Sequence, residues 1–145
     1  NTVSRGGNLL MNVGPTSRGY IDYRAEKALK VYADWMKVNS RSIYGCTMAE
    51  PEFVEPKGCR LTQSGDGKRL YIHLMEYPYA SLEVQGLAGK VDYAQFLHDG
   101  SEITFTEKAS DPFSKGGTQS ENLLVFRIPQ IKPPILVPVI EVFLK

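Results

Sequence analysis

Few side chains in this sequence could act on a substrate or hold a metal ion, and they are scattered. Glu50, Glu52 and Glu55 are clustered in a proline-bounded segment, and clustered carboxylates are what a hydrolase or a calcium site uses. No regular element is predicted to fix their spacing there, so solvated carboxylates are expected. His73 and His98 are isolated from them and from each other. We therefore predict no metal site and no cofactor.

Cys46 and Cys59 are the two cysteines of the chain. A zinc site would need a second pair of cysteines or histidines at ligand spacing, which the sequence lacks. One disulfide between them is an alternative, but two free thiols, at least partly buried, are the prediction.

Three ring side chains have both a functional and a structural interpretation. Trp35 could stack on a sugar ring, yet it lies in an apolar helical stripe, which favours packing. His73 lies on an alternating strand and is expected to be a half-exposed histidine rather than a sugar contact. His98 precedes an Asp-Gly turn and is expected to be a polar residue flanking that turn.

The composition excludes several classes of protein. Apolar residues make up 42% and charged residues 23% of the 145 residues, which is typical of globular proteins. The formal net charge is +1 without a basic block, so no nucleic-acid partner is predicted. Every apolar run is far shorter than the roughly 20 residues that a membrane span requires.

A strand and a helix are predicted at the start of the chain. Residues 8–13 form an apolar run between glycines and a Gly-Pro pair, which is typical of a strand buried on both faces in a parallel sheet. Its sheet neighbours would have to come from sequence upstream. Apolar residues then recur at helical spacing over 23–38, with Asp22 as the N-cap. Together they predict one β/α unit.

Beyond Gly45 the pattern changes to short alternating segments that are separated by turn residues. The predicted strands cover 59–63, 69–76, 81–85, 91–98, 103–106, 122–128 and 137–144, with 52–55 as a further candidate. Turns are expected at 65–68 and 98–101, and a loop at 110–120. This spacing predicts a mainly β fold, an antiparallel β-sandwich.

Several motifs appear together in a fixed order. Residues 4–16 read Ser-Arg-Gly-Gly-Asn-Leu-Leu-Met-Asn-Val-Gly-Pro-Thr, residues 35–39 read Trp-Met-Lys-Val-Asn, and 43–45 read Ile-Tyr-Gly. Their order and spacing resemble the late barrel region of the α-L-fucosidases of glycoside hydrolase family 29. Weaker motifs at 82–87 and 96–100 are similar to the C-terminal domain of that family. Asp22-Tyr23 and Cys46 depart from the family pattern at positions without chemistry.

The resemblance implies that 1–46 are the C-terminal end of a catalytic (β/α)8-like barrel and that 47–145 are a β-sandwich domain. It further implies a retaining hydrolase that removes terminal α-L-fucose from glycans with two carboxyl groups about 5 to 5.5 Å apart. No position of this chain matches the family's nucleophile, so no catalytic residue is assigned and the chain alone is expected to be inactive. Asn12, at the expected C-terminal end of the barrel strand, is the candidate substrate-binding residue; holding the shape of the following turn is its alternative role.

The implied partners are the rest of the catalytic barrel and a fucosylated glycan. Self-association through the exposed barrel remnant is expected when the chain is alone. The alternative function is a non-catalytic carbohydrate-binding sandwich, for which Tyr71, Tyr77, Tyr79 and Tyr93 are the aromatic candidates. The compartment cannot be read from these residues; the resemblance is compatible with a periplasmic or secreted enzyme.

Overall fold

One helix precedes a set of short strands in the computed structural model, which describes residues 1–107 and 122–145. Helix α1 covers Tyr23–Asn39, and short 3₁₀ turns lie at Val3–Arg5 and Ser40–Ser42. The strands are β1 (Cys46–Met48), β2 (Cys59–Ser64), β3 (Arg69–Leu74), β4 (Ser81–Gln85), β5 (Val91–Phe96), β6 (Phe105–Glu107), β7 (Leu123–Arg127) and β8 (Val139–Leu144).

Helix α1 begins where the sequence predicts. The Asp22 side chain accepts a hydrogen bond from the backbone N–H of Arg24 at 2.9 Å, which satisfies one of the free donors at the helix start. Lys30 and Asp34 form an i,i+4 ion pair on the exposed side. The predicted helix and its N-cap are confirmed.

The strands form two antiparallel sheets that enclose one core. The larger sheet has the order β1-β2-β3-β8-β5 and the smaller sheet the order β4-β7-β6. Alternation along β3 directs Leu70, Ile72 and Leu74 into a buried cluster that also contains Leu124 and Phe126 of the smaller sheet. Burial of these side chains is what holds the two sheets together. The mainly β antiparallel class is confirmed.

The opposite face of the five-stranded sheet, here called the outer face, is covered in part by α1. Tyr71, Leu97 and Val139 form a second buried cluster there, against which Trp35 packs. His73 lies on the same face and is only 6% exposed. The predicted alternation of β3 is therefore right, but the predicted half-exposure of His73 is wrong because the helix covers the ring.

Residues 8–13 do not form the predicted strand. They are irregular, and Leu10 is 94% exposed. A strand buried on both faces needs parallel neighbours that supply hydrogen bonds and apolar cover. The described part of the chain places no such neighbour beside this segment, which accounts for the difference.

The remaining differences concern short elements. Strand β1 was not predicted, and 52–55 is not a strand; its Val54 instead donates one backbone hydrogen bond to Gln85. The turns at 65–68 and 98–101 are confirmed. In the first, Gly67 has a φ of 73°. Across the second, the backbone N–H of Phe96 donates to the carbonyl oxygen of Ser101. The predicted loop at 110–120 lies outside the described residues.

Among the described residues no helix is long and apolar enough to cross a membrane. Cys59 is buried, Cys46 is half-buried and both are free, which confirms the predicted unpaired thiols.

Gly86 supplies the first test of the fold. Its φ is 96°, and a Cβ atom there would lie 2.0 Å from the carbonyl oxygen of Glu52. Gly86→Ala is expected to destabilise the chain by about 3 kcal/mol or more, because rigid backbone would have to move.

Gly89 is the matched control, since its φ is 76° but a Cβ atom would meet nothing within 4 Å. Gly89→Ala should therefore lower the free energy of unfolding by only about 1 to 2 kcal/mol, which is the cost of a left-handed backbone for alanine. Urea unfolding of both variants measures the difference. Equal losses would show that the close approach at Gly86 is not formed.

Candidate functional site

The helix–sheet junction is the place where the end of α1 and the 3₁₀ turn that follows meet the outer face. We define it by Trp35, Asn39, Ser42, Thr62 and His73. Asn39 and Ser42 are fully buried, and Thr62 and His73 nearly so. Buried polar groups are stable only when they are hydrogen-bonded, so their partners determine how the helix is held.

A chain of hydrogen bonds links the 3₁₀ turn to β2 and β3. The Thr62 hydroxyl donates to the carbonyl oxygen of Ser42 at 2.7 Å, and it lies 2.9 Å from Nε2 of His73. A hydroxyl has a single hydrogen to donate, so Thr62 must accept from His73. This places a hydrogen on Nε2 of His73.

The surroundings of His73 keep the ring neutral. Burial lowers the pKa of His73 from 6.5 to about 4, because the charged imidazolium would lose its hydration. The Trp35 ring lies over it at a centroid distance of 6.2 Å and an angle of 28°. The Trp35 indole donates to the carbonyl oxygen of Val137 at 3.0 Å. Trp35 is thus a packing residue, as predicted, and His73 is part of the same contact.

Asn39 links the last turn of α1 to this hydrogen-bond network. Its side-chain amide donates to the carbonyl oxygen of Trp35 at 3.2 Å, and its own carbonyl accepts from the Ser42 hydroxyl at 2.7 Å. The side-chain oxygen Oδ1 of Asn39 is buried and has no donor within the described residues. An unmatched buried acceptor is unfavourable, so a further donor would stabilise this end of the helix.

A buried carboxylate occupies the middle of the outer face. Glu141 is 2% exposed and accepts hydrogen bonds from Gln95 at 2.7 Å and from the Tyr71 hydroxyl at 3.3 Å. Arg41 and Arg69 approach the same carboxylate at 3.4 and 3.8 Å. Burial, and next the charge of Glu141, raise the pKa of Tyr71 to about 12. Tyr71 is therefore a neutral donor to Glu141.

An apolar groove of about 670 Å³ opens between α1, the N-terminal residues and the outer face. Its lining includes Val3, Leu9, Val31, Tyr32, Met36, Met75 and Leu136. Several of these side chains are largely exposed: Leu9 is 64%, Tyr32 56% and Leu136 60% accessible. A groove with this lining can hold apolar side chains, but it contains little that could position a reacting group.

Asn12 lies on the irregular segment and is exposed. The loop after it is compact, since Pro15 pairs with Ile21 in an isolated bridge and the Thr16 N–H donates to the carbonyl oxygen of Tyr20 at 2.8 Å. The structure therefore places Asn12 on an exposed, irregular segment that precedes a fixed loop.

Two of the three clustered glutamates, Glu52 and Glu55, form ion pairs with basic side chains. Glu55, whose side chain is 25% exposed, lies 3.0 Å from the Arg60 guanidinium and 3.2 Å from that of Arg5. Glu52 contacts the ammonium group of Lys90. The expectation of freely solvated carboxylates is wrong for Glu55, because β2 brings Arg60 next to it. In the described ranges, no three residues among His, Cys, Asp and Glu converge on a metal-binding position.

The tyrosines that could form a sugar platform do not form a row. Tyr71 is buried, Tyr93 is half-buried, and Tyr77 donates through its hydroxyl to the carbonyl oxygen of Pro129 at 2.7 Å. Tyr79 is 80% exposed. A single exposed ring does not provide the flat aromatic surface that the binding-module alternative requires.

Sequence reasoning missed the polar members of the outer face. Glu141 had a readable signal, because a charged residue inside an apolar strand is unusual and requires a partner. Thr62 and Ser42 gave no such signal, since isolated hydroxyl residues are common in strands and turns.

Comparisons with known proteins point to one family. The α-L-fucosidase family model matches residues 1–41. Plasma α-L-fucosidase of Homo sapiens is 54% identical over 43 residues, which are 30% of this chain and 9% of that protein. Tissue α-L-fucosidase of Bos taurus is 30% identical over 138 residues, which are 93% of this chain and 26% of that protein.

Solved structures extend the match to the whole fold. α-L-Fucosidase isoenzyme 1 of Paenibacillus thiaminolyticus is 33% identical with a TM-score of 0.82, over 99% of this chain and 32% of that one. The family 29 α-L-fucosidase of Bacteroides thetaiotaomicron has the same fold, with 23% identity and a TM-score of 0.81 over 99% of this chain and 30% of that one. The chain therefore spans less than a third of the relatives that it matches. These similarities identify it as a relative of the α-L-fucosidases of glycoside hydrolase family 29, corresponding to the C-terminal part of those enzymes.

Proposed function

We propose that this chain is the C-terminal part of a retaining α-L-fucosidase and that its role there is structural rather than catalytic. Residues 1–46 would supply the last strand and helix of the catalytic barrel, and 47–145 a sandwich that holds them. The substrate of the whole enzyme would be a glycan with terminal α-L-fucose, hydrolysed without a metal or organic cofactor. The retaining course is the one that the family resemblance implies.

One observation carries the proposal: the segment that matches the family model contains many large apolar side chains that this chain leaves uncovered. The match ends at residue 41, and within it Leu9, Leu10 and Tyr32 are 64%, 94% and 56% exposed. Each such side chain that stays in water loses the roughly 1.5 to 3 kcal/mol of stabilising free energy that full burial would give. A barrel around residues 8–13 and against α1 would remove this unfavourable exposure.

The rest of the barrel is the partner that fits the groove. The groove is lined by apolar side chains of α1 and the N-terminal residues, which is the surface that a neighbouring β/α unit covers in a barrel. A donor on that neighbour would also satisfy the buried Oδ1 of Asn39. The outer face of the sandwich would then hold the last helix in place from the other side.

The acidic residues of 1–46 do not suit the chemistry of a glycosidase. They are Asp22, Glu26 and Asp34. The Arg24 side chain and backbone lower the pKa of Asp22, and Lys30 and Lys37 lower the pKa of Asp34. A general acid needs a raised pKa, and Glu26 is exposed on a helix surface. None of the three therefore suits the role of general acid, and, as the family resemblance implies for the nucleophile, both catalytic carboxylates would lie outside residues 1–46.

Asn12 would be this chain's contribution to the substrate site. In a barrel the residues at the C-terminal ends of the strands line the active site, and Asn12 precedes the fixed loop that starts at Pro15. An exposed amide at that place can donate to and accept from sugar hydroxyls.

The proposal predicts activity for the whole enzyme and none for this chain. Both are assayed at equal molar concentration for release of chromophore from an aryl α-L-fucoside. We expect turnover by the full-length protein only, because the two carboxylates lie elsewhere. Turnover by the 145-residue chain would contradict the assignment of a structural role, and a silent full-length protein would contradict the fucosidase assignment.

The uncovered surface predicts self-association of the isolated chain. With the chain at tens of micromolar, light scattering should give a mass above that of one chain, because association would bury the exposed leucines. The double substitution of Leu9 and Leu10 by Ser should shift the mass toward the monomer. Ile131→Ser removes an equally exposed residue, 86% accessible, away from this segment and should leave the mass unchanged. A monomeric unsubstituted chain would contradict the prediction.

Because His73 is buried in the helix–sheet junction, the stability of the fold is expected to fall at acid pH. The unfolded chain binds a proton at His73 near pH 6.5, whereas the folded chain does so only near pH 4. The stability that His73 contributes is present above about pH 6.5 and is lost as the pH falls toward 4, by about 2 kcal/mol at pH 5. Urea unfolding at pH 7.5 and pH 5 measures this loss. His73→Gln should reduce the pH dependence and His98→Gln should preserve it; an unchanged slope in His73→Gln would overturn the assignment.

A further inference from the structure

A second cavity, of about 540 Å³, lies on the outer face beside the turn between β2 and β3. In contrast to the apolar groove, it is lined by charged and polar side chains that include Arg41, Tyr44, Lys68, Arg69 and Glu141. Neither the proposed structural role nor the packing of α1 uses these side chains as a group.

The Glu141 carboxylate positions the side chains of Arg41 and Arg69. The buried carboxylate lies 3.4 Å from the Arg41 guanidinium and 3.8 Å from that of Arg69. The Arg69 guanidinium also lies over the Phe143 ring, 3.9 Å from its centroid, and donates to the carbonyl oxygen of Lys68 at 3.3 Å. A guanidinium fixed by stacking and by two polar contacts is positioned in advance for a ligand.

Donors remain available at the mouth of the cavity. Each guanidinium carries five N–H donors, and the Arg41 and Arg69 side chains are 64% and 36% exposed. Lys68 adds an exposed ammonium group. The unused donors therefore face solvent, while Glu141 itself is covered.

The charges of the cavity favour an anion. Three cationic side chains and two carboxylates line it, which leaves one net positive charge. The second carboxylate, that of Asp66, accepts from the Ser64 hydroxyl at 2.6 Å and from the backbone N–H of Lys68 at 3.0 Å. Both carboxylates are engaged by protein donors, so the arginines determine what the cavity can bind.

We propose that this cavity binds the oxyanion of an acidic saccharide, a carboxylate or a sulfate ester. Paired guanidinium groups match the planar oxygens of such groups, and the Tyr44 ring, 73% exposed at the rim, offers an apolar flank for the sugar. The choice of a saccharide rests on the proposed function, whereas the choice of an anion rests on the cavity alone.

The test is a titration of the 145-residue chain followed by backbone amide chemical shifts. The probes are galactose 6-sulfate and methyl β-glucuronide, with methyl β-galactoside as the neutral sugar and inorganic sulfate as the bare anion. We expect saturable shifts at Gly45, Gly65 and Lys68 with one or both acidic sugars, and the stronger of the two identifies the anion. Saturation by the neutral sugar at the same concentration, or no saturation by either acidic sugar, would overturn the proposal.

Matched substitutions locate the site. Arg69→Gln and Arg41→Gln should each weaken binding about tenfold, the loss expected for one charge-assisted hydrogen bond. Arg127→Gln, on the smaller sheet, should bind like the unsubstituted chain. Equal weakening by Arg127→Gln would overturn the location, and sulfate binding as tightly as galactose 6-sulfate would overturn the saccharide. The fucosidase assay is independent of this titration, so a silent full-length protein with intact anion binding would contradict the proposed function alone.

Discussion

The hydrogen-bond chain from Ser42 through Thr62 to His73 is the contact on which the rest of this structure depends. It joins the end of α1 to β2 and β3, and the Trp35 ring closes over it. All its polar groups are buried, so breaking one hydrogen bond would leave the remaining groups without partners. The helix is therefore fixed to the sandwich at its C-terminal end, while most of its first turn and residues 5–12 remain exposed.

The outer face serves two purposes that differ in chemistry. One half, around His73, is neutral and closed by α1, and it leads into the apolar groove. The other half, around Glu141, keeps a charge inside the protein by surrounding it with two guanidinium groups, an amide and a phenol. A buried carboxylate needs such a set of donors. The same sheet thus carries a neutral, apolar half that α1 closes and a charged half that forms the second cavity.

The parts of the fold that follow from neighbouring residues could be read from the sequence. Asp22 and the helical spacing after it specify α1, and alternation along β3 separates Leu70 from His73. What could not be read was contact between distant residues. The indole of Trp35 bonds to Val137, 102 positions away, and without that contact His73 appears half-exposed. Residues 8–13 have a strand pattern but no sheet here, because pairing depends on residues that the described chain does not place beside them.

We propose that residues 8–13 become a barrel strand when the rest of the barrel is present. Amide hydrogen exchange of these residues, compared between the 145-residue chain and the full-length enzyme, tests it directly. We expect rapid exchange in the chain alone and protection by orders of magnitude in the full-length enzyme. Equal, rapid exchange in both would contradict it, because the segment would then have no sheet to join.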